Sequence, residues 1–472
     1  MAVAYISTRG EAPVLDFADA LLTGLARDGG LYLPERWPAF SRDTIVGFAG
    51  KPYTEVAAAV LGAFAEGSFS NAAIRDAVEE AYKSFRHPAV TPLVQIGPNE
   101  FLLELFHGPT IAFKDVAMQL LAPLMDRVLA ERGLRTTIVG ATSGDTGGAA
   151  LAAFAGRDRA DVIFLYPHGR VSEVQRRQMT TLVAPNVHAV AVEGTFDDCQ
   201  ALVKAMFNDL AFRDRVALAG VNSINFARIV AQATYYFVAA AVLGGPLRKV
   251  SFTVPTGNFG DVFAGWVAKS MGLPVERLTV ATNRNDILVR TLDSGRYEIR
   301  GVHHTTSPSM DIEVASNFER LLFEAGGRDF SRVRRAMDSL KQSGAFTLGA
   351  DERAAIARDF DAAAASEEEV AATMAQVRRE AGYLLDPHTA VAIAASRKLG
   401  HDPAVPRVIL STAHPAKFPD AVAAATGERP QLPPHMADLM HLPERTAVLP
   451  NDLAAVEAFV EARSRAVAGA AA

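Results

Sequence analysis

From about residue 100 the chain repeats one pattern: a short apolar run, a loop, then a helical stretch. FLLELF precedes a helix from about Ala112, and TTIVG precedes a helix that begins after ATSGDTGG. VIFLYP, NVHAVAV and KVSFTVP repeat the alternation, and RLTVAT and RVIL close it. Strand–helix–strand units of this kind form parallel sheets covered by helices on both faces. Such sheets bind ligands in the loops beyond the carboxyl ends of their strands. The fold class is therefore α/β, and the chemistry belongs in those loops.

At 472 residues the chain exceeds one ordinary core, so two or three domains are expected. Residues 1 to about 95 read as a helical opening, with VLDFADALLTGLA and KPYTEVAAAVLGAFAEG joined by the Gly/Pro-punctuated DGGLYLPERWP. Residues 326 to 382 read as charged, alanine-rich helices with EEEV as a solvated acidic turn. The tail ending AVAGAAA reads as frayed. A net charge of −6 without a basic stripe argues against nucleic acid as a partner. The single cysteine, Cys199, excludes an intrachain disulfide and a cysteine-rich zinc site, which leaves it a packing role. The opening MAVAYISTRGEAP lacks the pattern of a signal peptide. The longest apolar run, Tyr235 to Leu243, falls short of the roughly 20 residues that span a bilayer. It reads as a buried helix, and a cytoplasmic chain without membrane contact is expected.

Three loops carry candidate binding groups. GATSGDTGG, Gly140 to Gly148, joins a strand to a helix whose first N–H groups are free, and Thr142, Ser143 and Thr146 add hydroxyls. It can cradle a carboxylate or a phosphate, or be a plain tight turn. It is neither a Walker loop, lacking Gly-Lys-Ser/Thr, nor a dinucleotide fingerprint, lacking the spacing and the following acid. PTGNFGD, Pro255 to Asp261, repeats the same physics. Two such loops suit one ligand with two anionic groups, or two ligands. STAHPAKF, Ser411 to Phe418, places a hydroxyl at a strand end, where Thr412 could serve a heteroaromatic nitrogen or simply a turn.

Lys114, in FHGPTIAFKD, sits beside the apolar stripe Phe113, Ala117, Leu120, Leu121, Leu124 and Val128. Burial and the positive end of a helix both disfavour its ammonium. A neutral amine attacks an aldehyde. Alone, Lys114 reads as a snorkelling surface lysine; the two anion loops favour the reactive reading.

Taken in order, FHGPTIAFKD, ATSGDTGGAA, PTGNFGD and STAHPAKF resemble threonine synthase, a pyridoxal-phosphate family of the tryptophan-synthase-β fold type (fold type II). YISTRG with DGGLYLP, NSINFARI, ATNRND and SPSMDIEVASNFERLLFE extend the resemblance from near residue 5 to near residue 420. It implies pyridoxal 5'-phosphate as cofactor and Lys114 as the lysine that carries it as a Schiff base. Gly257, Asn258, Phe259, Gly260 and Asp261 match the loop that holds the cofactor phosphate, and Thr412 matches the hydroxyl on the pyridine nitrogen. Thr142, Ser143, Asp145 and Thr146 fall in the loop for the substrate carboxylate; Ser223 and Arg228 resemble a pair on the substrate phosphate. The implied organisation is an N-terminal domain over 1–95, a large cofactor-binding domain over 96–125 and 241–472, and a small substrate-binding domain over 126–240.

The implied reaction is O-phospho-L-homoserine and water to L-threonine and phosphate, by γ-elimination and β-addition. The implied partner is that small molecule alone, acting on a monomer or homodimer. Competing readings are a serine or threonine dehydratase or cysteine synthase on the same scaffold, or a non-catalytic pyridoxal-phosphate-binding homologue. His107, His303, His304, His388 and His414 show no metal-ligand spacing, so no metal is expected. Asp311 and Glu313 lie in a matched motif without a derivable role.

Overall fold

The computed structural model describes residues 2–469. Its larger sheet has six strands, in the order Phe360–Ala364, Val275–Thr282, Val250–Pro255, Arg407–Ser411, Glu100–Glu104 and Leu93–Gly97. All pairs are parallel except the last, where Leu93–Gly97 runs antiparallel to Glu100–Glu104. The second sheet has five parallel strands, in the order Ala447–Pro450, Val187–Glu193, Ala160–Pro167, Thr136–Ala141 and Leu218–Ala219. Helices cover both, as the strand–helix alternation predicts.

The local reasons are plain. Ala160–Pro167 is buried at every position and apolar except at Asp161, which pairs with Arg465 at 2.7 Å, as suits a central parallel strand. Phe226–Val242 is apolar almost all round and buried along most of its length. It contains most of the long apolar run, and among the described residues no helix is long and apolar enough to cross a membrane.

The division into units differs from the expected one. Residue 95 lies inside the strand Leu93–Gly97, and the limits at 125/126 and 240/241 fall within the helices Lys114–Glu131 and Phe226–Val242. These two helices pack on each other. The N-terminal segment has no core of its own: Tyr5, Phe17 and Phe64 share one with Val116 and Phe226. It also contains an antiparallel ribbon, Tyr5–Ser7 with Tyr32–Pro34, that periodicity did not show.

Two further strands correct the sequence reading. Phe360–Ala364, inside the stretch read as helical, is an edge strand paired to Leu278–Thr282. Alanine favours helices, but pairing and burial against the sheet override so weak a preference. Ala447–Pro450, assigned to the large unit, closes the open edge of Val187–Glu193 in the small one. Val456 and Val460 from the following helix join Cys199, Leu202 and Met206 in that unit's core. The acidic EEEV turn begins a helix, where Ser366 and Glu369 form a reciprocal cap. Of the tail, Arg465–Gly469 is helical, and 470–472 lie outside the described residues.

Because the strands are parallel, the carboxyl ends of Glu100–Glu104, Val250–Pro255, Val275–Thr282 and Arg407–Ser411 share one edge of the large sheet. The three loops and Lys114 follow from strand ends of the two sheets.

Candidate active site

Lys114 opens its helix at the end of a chain segment clamped to the Ser411 strand. Leu105 N–H donates to Ser411 O at 2.9 Å, Phe113 N–H to Thr412 O at 2.8 Å and His414 N–H to Ile111 O at 3.1 Å. Ile111 is held at φ +53°, a strained conformation for a β-branched residue, three positions before the lysine. The clamp fixes Lys114 and Thr412 side by side in the fold, and both are buried.

The Lys114 amine faces Asp145 Oδ2 at 3.4 Å and Ser309 Oγ at 3.4 Å. Burial is the main force lowering its pKa; Lys417 and Arg228 push the same way and Asp145 opposes them. Asp145 is buried too, and burial works against its charge. Lys417, Lys114 and Gln175 outweigh that and hold the carboxyl far below its usual range. Its Oδ1 accepts from Gln175 Nε2 at 2.8 Å and pairs with Lys417 Nζ at 3.0 Å.

This geometry reassigns Asp145. Its carboxylate cannot take up an anionic group, because like charges repel; it faces the lysine instead. The rest of its loop is a tight glycine turn at a helix start. Thr142 Oγ1 accepts from the amides of Gly144 and Gly147, both at 2.9 Å, which pins the turn. Ser143 and Thr146 are half-buried at the start of the Asp145–Phe154 helix.

The Pro255–Asp261 loop is equally constrained. A Cβ on Gly257 would come within 2.8 Å of Ser309 O, so this close approach admits only glycine. Phe259 caps the Gly260–Ser270 helix at φ +65°, another strained position. The Asn258 carbonyl accepts from Asn317 N–H at 3.0 Å. Asp261, at the same helix start, turns away from the loop. Its Oδ1 accepts from the Tyr235 hydroxyl and from Tyr236 at 3.1 Å, and its Oδ2 is buried without a partner. Burial raises its pKa to about 6, against the two tyrosine bonds and Lys114. It is a packing group between helices rather than a ligand of the loop.

Arg228 is 3% exposed, donates to Val221 O at 3.3 Å, and leaves Nε without a partner. Among the described residues it has no carboxylate within ion-pair reach, and burial lowers its pKa to about 10. Ser223 lies in the loop before that helix, where its carbonyl accepts from Asn317 Nδ2 at 3.1 Å.

Ser309, Lys417 and Asp386 were not singled out in the sequence, and His388 was noted only among the histidines without metal-ligand spacing. Ser309 N–H donates to His388 Nε2 at 3.3 Å, so the other ring nitrogen carries the proton given to Asp386 Oδ2 at 2.8 Å. Ser309 and Lys417 do lie inside SPSMD and STAHPAKF; their matched motifs were the available signal. Asp311 now has a role. It accepts from Thr305, Asn283 and Asn285, which ties the Ser309 turn to the end of the Val275–Thr282 strand. Glu313 accepts from the Arg300 amide at 2.7 Å just beyond it. Among the described residues no cluster of three or more His, Cys, Asp or Glu could hold a metal ion.

The site fits an aldehyde cofactor with a phosphate. It offers a buried amine of lowered pKa, a glycine cradle at a helix N-terminus, and a buried hydroxyl at a neighbouring strand end.

Comparison with known proteins points the same way. Family descriptions match as "Threonine synthase N terminus" over 4–82, "Pyridoxal-phosphate dependent enzyme" over 85–413 and "Threonine synthase, C-terminal" over 389–460. A threonine synthase of Pseudomonas aeruginosa is 54% identical over 97% of both chains. The crystal structure of a pyridoxal-phosphate-bound threonine synthase from Brucella melitensis is 60% identical, with TM-score 0.96 over 98% of this chain and 100% of that one. The yeast threonine synthase structure is 39% identical, with TM-score 0.92 over 98% and 99%.

Proposed function

Because the chain belongs to the threonine synthase family of pyridoxal-phosphate enzymes, we infer that its site converts O-phospho-L-homoserine and water into L-threonine and phosphate. One observation carries the choice of substrate. Arg228 is a buried guanidinium without a carboxylate partner, and its charge acts on Lys114. Such a group needs an anion, and a guanidinium suits a phosphate through paired hydrogen bonds. Dehydratase substrates bring no second anion to this place. The matched N- and C-terminal threonine synthase regions support the same reading.

In this reading Lys114 would hold the cofactor through its amine. Gly257, Asn258, Phe259 and Gly260 would hold its phosphate at the helix N-terminus, and the Thr412 hydroxyl would take the ring nitrogen. Bound there, pyridoxal phosphate supplies the electron sink that makes the substrate's α- and β-hydrogens acidic. Lys114 Nζ would take those protons, return one at the γ-carbon and, once water has added, return one at the α-carbon. Asp145 Oδ2 and Ser309 Oγ hold the amine between transfers. Thr142, Ser143 and Thr146 present the anion-binding turn to the substrate carboxylate. Ser223 and Arg228 hold the phosphate as it leaves. The buried walls exclude bulk solvent, so that a single water adds at the β-carbon.

The five-stranded sheet forms the substrate side and the six-stranded sheet the cofactor side. We further place the enzyme in the cytoplasm, as a monomer or homodimer acting on a small molecule without nucleic acid or membrane. Its net charge of −6 and enclosed site support that placement. The test is to supply O-phospho-L-homoserine to the holoenzyme and follow both products. Equal release of phosphate and threonine is expected; phosphate without threonine would overturn the assignment.

A further inference from the structure

Asp145 is contested by two lysines. Its Oδ1 meets Lys417 Nζ at 3.0 Å, while its Oδ2 meets Lys114 Nζ only at 3.4 Å. Lys417 has no solvent exposure. Its other contacts are hydrogen bonds to the Thr110 carbonyl at 2.8 Å and Gln178 Oε1 at 2.7 Å, beside the ion pair with Asp145. A buried ammonium is expensive to desolvate unless paired, so this one is held by its carboxylate as much as it holds it. Thr110 in turn holds Asp115, through its amide at 2.8 Å and its hydroxyl at 2.7 Å. Lys417 therefore joins the turn after Thr412, the entry to the Lys114 helix and two helices of the small unit.

Resting on Lys114 as the cofactor lysine, we propose that Lys417 is a positioning residue that claims the charge of Asp145, fixes that carboxylate with one oxygen toward Lys114, and so keeps the Lys114 amine from being locked in a tight ion pair. The reactive lysine must alternate between a held ammonium and a free amine. A carboxylate devoted to it alone would favour the ammonium. Sharing that carboxylate with a second lysine restores the balance.

The charged groups around the amine support this. Asp145 faces it from the Asp145–Phe154 helix, Lys417 from the turn Pro415–Lys417, and Arg228 from the Phe226–Val242 helix. Asp261 on the Gly260–Ser270 helix feels its charge, and His388 on the Pro387–Lys398 helix accepts from the Ser309 N–H. Removing the Lys417 charge leaves Asp145 with Lys114 as its one full cation.

The test follows covalent capture of pyridoxal phosphate by cofactor-free protein across pH, read from the visible absorbance band of the linkage. Lys417→Met should move the pH midpoint of capture up by about one unit, roughly tenfold slower capture at neutral pH. Lys417→Arg should stay within about twofold of the parent. Asp145→Asn should move the midpoint down, and it decides the matter if Lys417→Met does not fold. A folded Lys417→Met that captures with the parent midpoint, or an Asp145→Asn that does not shift downward, overturns the proposal. Lys114→Ala separates the two claims: a band in that variant would remove Lys114 as the cofactor lysine, whatever Lys417 does.

Discussion

Asn317 joins the Pro255–Asp261 loop to the loop of Ser223: its backbone N–H donates to Asn258 O at 3.0 Å, and its side-chain Nδ2 donates to Ser223 O at 3.1 Å. Its Oδ1 accepts from the fully buried Arg320, which also donates to Tyr32 O and Ile224 O. The Pro255–Asp261 loop, the loop of Ser223 and the N-terminal ribbon are thus tied together through Asn317 and Arg320. Asn317→Ala should raise KM for the phosphorylated substrate about tenfold, about 1.4 kcal/mol. It should also lower stability by roughly 1–3 kcal/mol, because the Arg320 guanidinium loses a buried acceptor. Steady-state kinetics with denaturant unfolding check both.

Arg228→Ala removes the buried cation that has no carboxylate partner among the described residues. Loss of a charge-assisted phosphate contact should raise KM by roughly ten- to a hundredfold, while covalent cofactor capture persists. Kinetics alongside absorbance titration of the same preparation make the comparison.

The Asp261 carboxyl gives a pH prediction with a definite sign. Its folded pKa of about 6 exceeds the ordinary 3.8, so between those values the folded protein retains a proton that the unfolded chain has lost. Stability from this group therefore falls as pH rises from about 4 to about 6 and is level above, by up to about 3 kcal/mol. Asp261→Asn removes the effect. The variant should melt higher than the parent at pH 7.5, and the two should converge near pH 4.

The C-terminal strand and helix belong to the small unit, so damage there should loosen that sheet. Val456 is fully buried against the Cys199 cluster. Val456→Ala should destabilise by about 2 kcal/mol through lost burial and the cavity left behind. Thermal unfolding with cofactor bound would show it.

Much of this was legible in the sequence, for reasons the structure makes plain. Runs such as VIFLYP are buried on both faces, so their continuous apolarity announces a central parallel strand. Gly257 was legible as a loop glycine before a helix, where the structure shows the backbone of Ser309 in close approach; Phe259 was reached through the family resemblance, since nothing in its residue type announces a φ of +65°. Phe360–Ala364 was not, because alanine carries a helical preference that only pairing with the neighbouring strand overrides. Ala447–Pro450 was hidden because its partner edge lies more than 250 residues away, a relation no local pattern encodes. Lys417 and Asp145 were obscured differently. A lysine and an aspartate look solvent-facing until the fold buries them together, and the sign argument that turns Asp145 away from the substrate carboxylate needs their distances. Asp261 sits in the right loop by sequence, yet its side chain points into the helix packing.

In the proposed reaction phosphate leaves by cleavage of the carbon–oxygen bond, with Lys114 moving the protons, and water then adds to carbon. Turnover of O-phospho-L-homoserine in ¹⁸O-labelled water, with mass analysis of both products, separates this course from hydrolysis at phosphorus. Label is expected in the threonine hydroxyl and not in phosphate, and neither product from Lys114→Ala. Label in the phosphate would mean cleavage at phosphorus by simple hydrolysis and would contradict it.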